Sequence, residues 1–305
     1  MGIIKKGYSE IKNIWERKDA FIGFKPFLEE GSESRGIHRP WNAYNGHLEL
    51  ETGEMDYIRF GNGDRVMVMI PGVGDGLKTV KGMALPFAFL YRELAKDFTV
   101  YVFSRRTNLA PDMTTRDMAE DLNLALEELG LAGCAVVGVS QGGMITQWLA
   151  IDHPDKVGKL VLTVTHCRSN PVTQEVILAW MDMARHHDYK GIMLDTAEKS
   201  YSEKRLRKER VVYRMLGNVG KPKSFRRFQI QARSCLTHNS YKELPTISCP
   251  TLVVGGGQDK IVTGEASVEI AERIPGAKLK MYDDLGHGLY EEAPDFLDIV
   301  REFCM

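Results

Sequence analysis

Residues 133–150 read GCAVVGVSQGGMITQWLA. The apolar run CAVVGV has strand length and no polar interruption, which suits a strand buried on both faces of a parallel sheet. It ends at Gly138-Val139-Ser140-Gln141-Gly142, followed by Gly143, and then passes into an amphipathic run of helical character. A serine on such a sharp strand-to-helix turn is held in a strained backbone with its hydroxyl exposed. The flanking glycines remove side chains that would block the turn. The N-terminus of the following helix favours developing negative charge. Ser140 is therefore the predicted nucleophile.

Outward from this turn the same rhythm repeats. RVMVMIPG from Arg65 and FTVYVFS from Phe98 read as earlier buried strands, and VGKLVLTVT from Val157 as a later one. Helical patterns fill the intervals from Gly82 to Lys96 and from Thr115 to Leu129, the latter carrying Met118, Leu122, Ala125, Leu126 and Leu129 on one stripe. Strict strand–helix alternation predicts βαβ units and a mostly parallel sheet flanked by helices. Ahead of it, HLELETGEMDYIRFGNGD from His47 reads as two antiparallel strands with a turn at Thr52–Glu54. The alternation stops after Thr165 and resumes at CPTLVVGGGQD and AKLKMYDDLGHG. The expected organisation is an N-terminal extension over 1–45, helical and packed on the core, then a core over 46–167, a helical cap over 168–243 and the rest of the core over 244–305. In the extension, Ile3, Ile4, Tyr8, Ile11, Ile14 and Trp15 recur at helical spacing, which predicts a short amphipathic helix packed on the main body.

A serine hydroxyl needs a base, and the base needs a group to orient it. Among the eight histidines, His287 follows the last strand in Leu285-Gly286-His287-Gly288. Catalytic groups in open α/β sheets gather at the C-terminal ends of strands, so His287 is the predicted base. His166, after the fourth parallel strand, is its nearest rival. Asp259 follows TLVVGGG at another strand end and is preferred as the acid over Asp283 and Asp284, which lie just before the histidine. The order Ser140, Asp259, His287 is nucleophile, acid, base. Oxyanion donors are expected from the backbone N–H of Gln141 and of Val73, the latter in Pro71-Gly72-Val73-Gly74-Asp75-Gly76. Gly72, Gly74 and Arg105 are candidate substrate contacts, with Arg106 beside them. The glycines of this loop complete neither a phosphate loop nor GxGxxG.

These motifs together resemble the α/β-hydrolase superfamily from about Arg65 to Met305. IPGVG stands at the oxyanion loop, GVSQGG at the elbow, CPTLVVGGGQDKIV at the acid strand and LGHGLYEEAPDF at the histidine loop. The sequence departs from many members in having Pro71 where His precedes the glycine, and Val139 where the elbow has histidine. The resemblance implies an α/β-hydrolase fold with a helical cap and a serine mechanism. Relatives that use an aspartate nucleophile, the haloalkane dehalogenases and epoxide hydrolases, do not fit Ser140. The implied activity is hydrolysis of an ester or related carboxyl substrate. Acyl transfer and C–C bond hydrolysis by the same triad stay open, as does a ligand receptor on the same fold.

The bulk numbers fit this class. The 305 residues are 43% hydrophobic and 27% charged, with a formal net charge of −1, which gives no overall pull toward nucleic acid or an anionic membrane. Five scattered cysteines form no CxxC pair, so neither a metal site nor a disulfide framework is expected. No cofactor is implied. No stretch is long and apolar enough for a membrane span, and a cytoplasmic location is the expectation. Between Arg168 and Glu243 stand 16 Lys and Arg against 8 Asp and Glu, a net of +8 that leaves −9 for the rest. A small-molecule substrate is expected, and this basic block would favour an anionic one.

Overall fold

The computed structural model describes residues 40–305, apart from Gly217. The helix expected over the first residues lies outside the described residues. An eight-stranded sheet runs in the order β1-β2-β4-β3-β5-β6-β7-β8. β1 (Tyr44–Leu50) and β2 (Gly53–Phe60) form an antiparallel hairpin, and β2 pairs antiparallel with β4 (Phe98–Phe103). β3 (Arg65–Ile70), β5 (Cys134–Val139), β6 (Val157–Thr163), β7 (Thr251–Gly256) and β8 (Lys278–Tyr282) continue it in parallel. The sheet thus begins at Tyr44, inside the stretch expected to be extension.

The parallel strands carry apolar side chains to both faces. Val68, Ile70, Val136, Leu160 and Leu162 pack on one side with Met118, Leu122 and Leu126 of α2 (Thr115–Glu128). Met67, Met69, Val137 and Val161 pack on the other with Phe87 of α1 (Ala84–Leu90). Successive residues point to opposite faces, so continuous apolar runs are what a two-sided sheet requires. Each such buried side chain contributes about 1.5–3 kcal/mol. The helix expected over 82–96 is shorter: α1 stops at Leu90 and a separate 3-10 turn covers Leu94–Lys96. α2 opens on a capping box in which Thr114 and Asp117 satisfy each other's backbone N–H.

α3 (Gln141–Asp152) corrects the expectation of an amphipathic helix, since every residue from Gln141 to Ala150 is buried. The reason is tertiary. Four helices follow β6: α4 (Pro171–Arg185), α5 (Tyr189–Ser200), α6 (Glu203–Leu216) and α7 (Arg226–Thr237). Of these, α4 and α7 cover the face of α3 that would otherwise meet water. Met144 packs among Val176, Ile177, Trp180 and Phe228, and a helix enclosed on all sides has no polar face to show. The chain then returns through β7, α8 (Gly264–Arg273), β8, α9 (Leu289–Glu292) and α10 (Phe296–Cys304). The five cysteines are free, and no described helix is long and apolar enough to cross a membrane.

Candidate active site

β5 leads straight into the turn at Ser140, whose φ of 54° and ψ of −120° lie where L-residues are strained. The turn is held from several sides. Ser140 N donates to Thr163 O at 2.9 Å, and Ser140 O accepts from Gly143 N at 2.9 Å and Thr165 Oγ1 at 2.8 Å. Glycine at 142 is required by close approach, because a Cβ there would stand 1.9 Å from Ile70 O. The loop after β3 reaches the same point: a Cβ on Gly72 would lie 3.3 Å from Ser140 Cβ and 3.7 Å from its Oγ. Val73 opens a 3-10 turn and Gln141 opens α3. As first residues of their turns, neither finds an acceptor for its N–H within its own helix.

Asp259 and His287 stand at the ends of the neighbouring strands β7 and β8. His287 Nδ1 lies 2.8 Å from Asp259 Oδ2, and Asp259 Oδ1 accepts the N–H of Ile261 at 2.8 Å and of Val262 at 3.0 Å. Both side chains are buried. Asp283 and Asp284, the alternative acids, are exposed. Glycine at 256 lets the two loops touch, since a Cβ there would stand 2.6 Å from Leu285 O and Gly286 O. The helices between β6 and β7 grip this side too. Gly288 N donates to Ser200 O at 2.8 Å, Tyr201 Oη to Glu291 Oε2 at 3.0 Å, and Arg205 Nη2 to the same oxygen at 2.8 Å.

The arginines after β4 turn inward. Arg105 is 5% exposed, with Nη2 donating to Pro71 O and, at 3.0 Å, to Gln141 Oε1. Arg106 Nη1 donates to Thr52 O at 2.8 Å, and its Nε stands 3.4 Å from Asp121 Oδ2. Gly74 has open space where a Cβ would be. Several basic residues of the inserted helices are paired, Arg210 with Glu198 and Glu203, and Arg227 with Asp75.

The residues after β6 carried no sequence motif. Val164, β-branched, has φ 44°, a backbone state costing roughly 1–3 kcal/mol. Its N–H is fixed on Val254 O at 2.9 Å. This turn aims Thr165 at Ser140 O and buries His166 completely, and among the described residues neither ring nitrogen has a hydrogen-bond partner. Burial, with His287 adding to it, pulls the His166 pKa down to about 4. The only signal in the sequence was a histidine at a strand end. Among the described residues no cluster of His, Cys, Asp and Glu has the arrangement of a metal site.

A serine on a strained turn after the central strand β5, an aspartate–histidine pair past the ends of β7 and β8, and a mostly parallel eight-stranded sheet define one class of protein. The sequence matches the α/β-hydrolase fold family over residues 65–294, and the chain belongs to that family. It is 25% identical over 288 residues to a 2-hydroxy-6-oxononadienedioate/2-hydroxy-6-oxononatrienedioate hydrolase of a Pseudomonas species, covering 90% of this chain and 98% of that one. It is 28% identical over 183 residues to a 2-hydroxymuconate semialdehyde hydrolase of Pseudomonas putida, covering 58% and 64%. The fold is shared with the enol-lactonase of Burkholderia xenovorans LB400, at a TM-score of 0.72 and 20% identity over 85% of this chain and 99% of that one.

Proposed function

We propose that this enzyme of the α/β-hydrolase family is a serine hydrolase that cleaves an ester or related carboxyl substrate through an acyl-enzyme on Ser140. The observation that carries the reading is the 2.8 Å contact of His287 Nδ1 with Asp259 Oδ2, with the second carboxylate oxygen fixed by two backbone N–H groups. This holds the imidazole with Nε2 free to accept a proton. Ser140 Oγ attacks the carbonyl carbon as His287 takes its proton. The tetrahedral oxyanion is stabilised by the N–H groups of Val73 and Gln141. His287 then protonates the leaving group, and water activated by the same ring releases the acid. The inserted helices, which contact the loops of both Ser140 and His287, act as the cap, and Gly72 and Gly74 border the substrate.

A second reading, cleavage of a carbon–carbon bond next to a ketone, is favoured by the relative that matches along nearly its whole length. The substrate in that relative's name carries hydroxyl, ketone and carboxylate groups and no ester, so its hydrolysis must break a carbon–carbon bond. The same triad can serve both reactions.

The test is a fluorophosphonate probe on purified protein, with the adduct located by mass spectrometry in wild type, Ser140→Ala and His287→Ala. A single adduct on Ser140, lost in Ser140→Ala and slowed without His287, is expected. Labelling elsewhere, or none on folded protein, would overturn the mechanism. Turnover of p-nitrophenyl esters against that of anionic hydroxy-oxo-dienoates then separates the two readings.

A further inference from the structure

We propose that Arg105 is a positioning residue for the oxyanion hole: its buried guanidinium ties the loop bearing one oxyanion donor to the residue supplying the other. The inference rests on the acyl-enzyme reading above. Arg105 Nη2 donates to Pro71 O, lies 3.5 Å from Gly72 O, and donates to Gln141 Oε1 at 3.0 Å. Pro71 and Gly72 lead directly into Val73. The Gly72 carbonyl and the Val73 N–H belong to one peptide unit, so positive charge near that oxygen polarises the unit and strengthens its N–H as a donor. The Gln141 side chain is held at its other end as well, Nε2 donating to Gln231 O at 2.7 Å and Ser234 Oγ at 3.0 Å. One planar cation therefore sets the separation between the two donors.

The charge around it is unbalanced. Among the described residues, Asp75 is the carboxylate that faces both guanidiniums, Arg105 and Arg227. Burial acts to raise the Asp75 pKa, but Arg227 and Arg105 outweigh it and hold the carboxyl ionised. Burial lowers Arg105 to about 10, so it stays protonated at neutral pH. The cluster keeps one uncompensated positive charge close to where an oxyanion would form, in surroundings that screen it little. Among the described residues, Arg105 Nε and Nη1 have no hydrogen-bond partner. Unsatisfied buried donors destabilise a fold, and packing alone gives no reason for a guanidinium here.

Arg227 on α7 fixes the cluster from the helical insertion. Its Nη2 meets Asp75 Oδ2 at 2.8 Å and Arg105 O at 2.7 Å, and its Nη1 meets Asp75 O at 2.8 Å. Gln231 Nε2 adds a bond to Asp75 Oδ2 at 3.1 Å. The insertion is thus joined to the oxyanion loop through the partly buried contacts of Arg227 and the buried bond of Gln231.

The experiment compares full-length wild type with Arg105→Gln, Arg105→Lys and Arg227→Gln. It measures kcat and KM on p-nitrophenyl butyrate, and inhibition by a trifluoromethyl ketone, which forms a tetrahedral adduct on serine. Arg105→Gln is expected to lower kcat about 10²-fold with KM within about twofold, and to weaken the ketone by the same factor as kcat/KM. Arg105→Lys should restore about tenfold of that loss by returning the charge. Folded Arg105→Gln with kcat within about threefold of wild type, or with the whole loss in KM, overturns the proposal. If Arg105→Gln does not fold, Arg227→Gln carries the test. It should lose about tenfold in kcat with a matching loss of ketone affinity, and an unchanged kcat overturns the proposal. Wild type that takes no fluorophosphonate on Ser140 overturns the parent reading. Labelled, active wild type beside an unaffected Arg105→Gln overturns this one alone.

Discussion

Asp259 divides its two oxygens between different tasks: Oδ2 faces His287 Nδ1 at 2.8 Å, while Oδ1 takes the backbone N–H of Ile261 and Val262. The backbone contacts fix which oxygen meets the ring. In Asp259→Asn they would keep the amide oxygen on the backbone side and turn the NH2 toward His287. The ring would then accept at Nδ1 and carry its proton on Nε2, where a base must be empty. The expected outcome is a loss of about 10³–10⁴-fold in kcat with little change in thermal midpoint, measured by ester turnover and calorimetry. Activity within tenfold of wild type would remove Asp259 from the mechanism.

The backbone at Ser140 is strained by the shape of the turn. Glycine tolerates that φ and alanine does not. Both substitutions should abolish turnover, but Ser140→Gly should be more stable than Ser140→Ala by about 1 kcal/mol. Urea unfolding of the two inactive variants checks this. Equal midpoints would mean that the turn relaxes without the hydroxyl.

Two glycines of the loop after β3 should respond differently to a methyl group. A Cβ on Gly72 would stand 3.3 Å from Ser140 Cβ, whereas Gly74 has open space. Gly72→Ala should cut kcat/KM about 10–10²-fold by crowding the reacting carbon. Gly74→Ala should leave stability within about 0.5 kcal/mol. Steady-state kinetics with melting curves tests both, and an active Gly72→Ala would mean that the loop lies off the reaction path.

His166 is buried, without a hydrogen bond on either nitrogen among the described residues, and burial lowers its pKa from the ordinary 6.5 to about 4. The folded state therefore binds fewer protons than the unfolded state between these values. The stability linked to this group is complete above about pH 6.5 and is lost as pH falls toward 4. Between pH 7 and pH 4.5 the loss should be about 2 kcal/mol. His166→Leu should show a correspondingly flatter acid limb in urea titrations at each pH. Parallel limbs for the two proteins would refute the linkage.

Much of this protein was written in its one-dimensional pattern. The runs RVMVMI, FTVYVF, CAVVGV and VGKLVLT became β3, β4, β5 and β6, because a strand covered on both faces must be apolar at every position. Ser140, Asp259 and His287 could be singled out as candidates because each stands at a strand end among glycines, and that context is local. The sequence could not say that α3 would be enclosed on all sides, since its outer face is covered by helices far along the chain. Nor could it assign Arg105. After β4 it reads as one of two loop arginines and a candidate substrate contact, yet its guanidinium lies inside, bonded to Pro71 O and Gln141 Oε1. His166 and the strained Val164 were equally silent. Strand pattern and elbow chemistry depend on neighbours within a few residues. Burial, charge balance and the partner of each guanidinium depend on segments some 30 to 120 residues apart, such as Arg105 with Asp75 and with Arg227, and only folding brings those together.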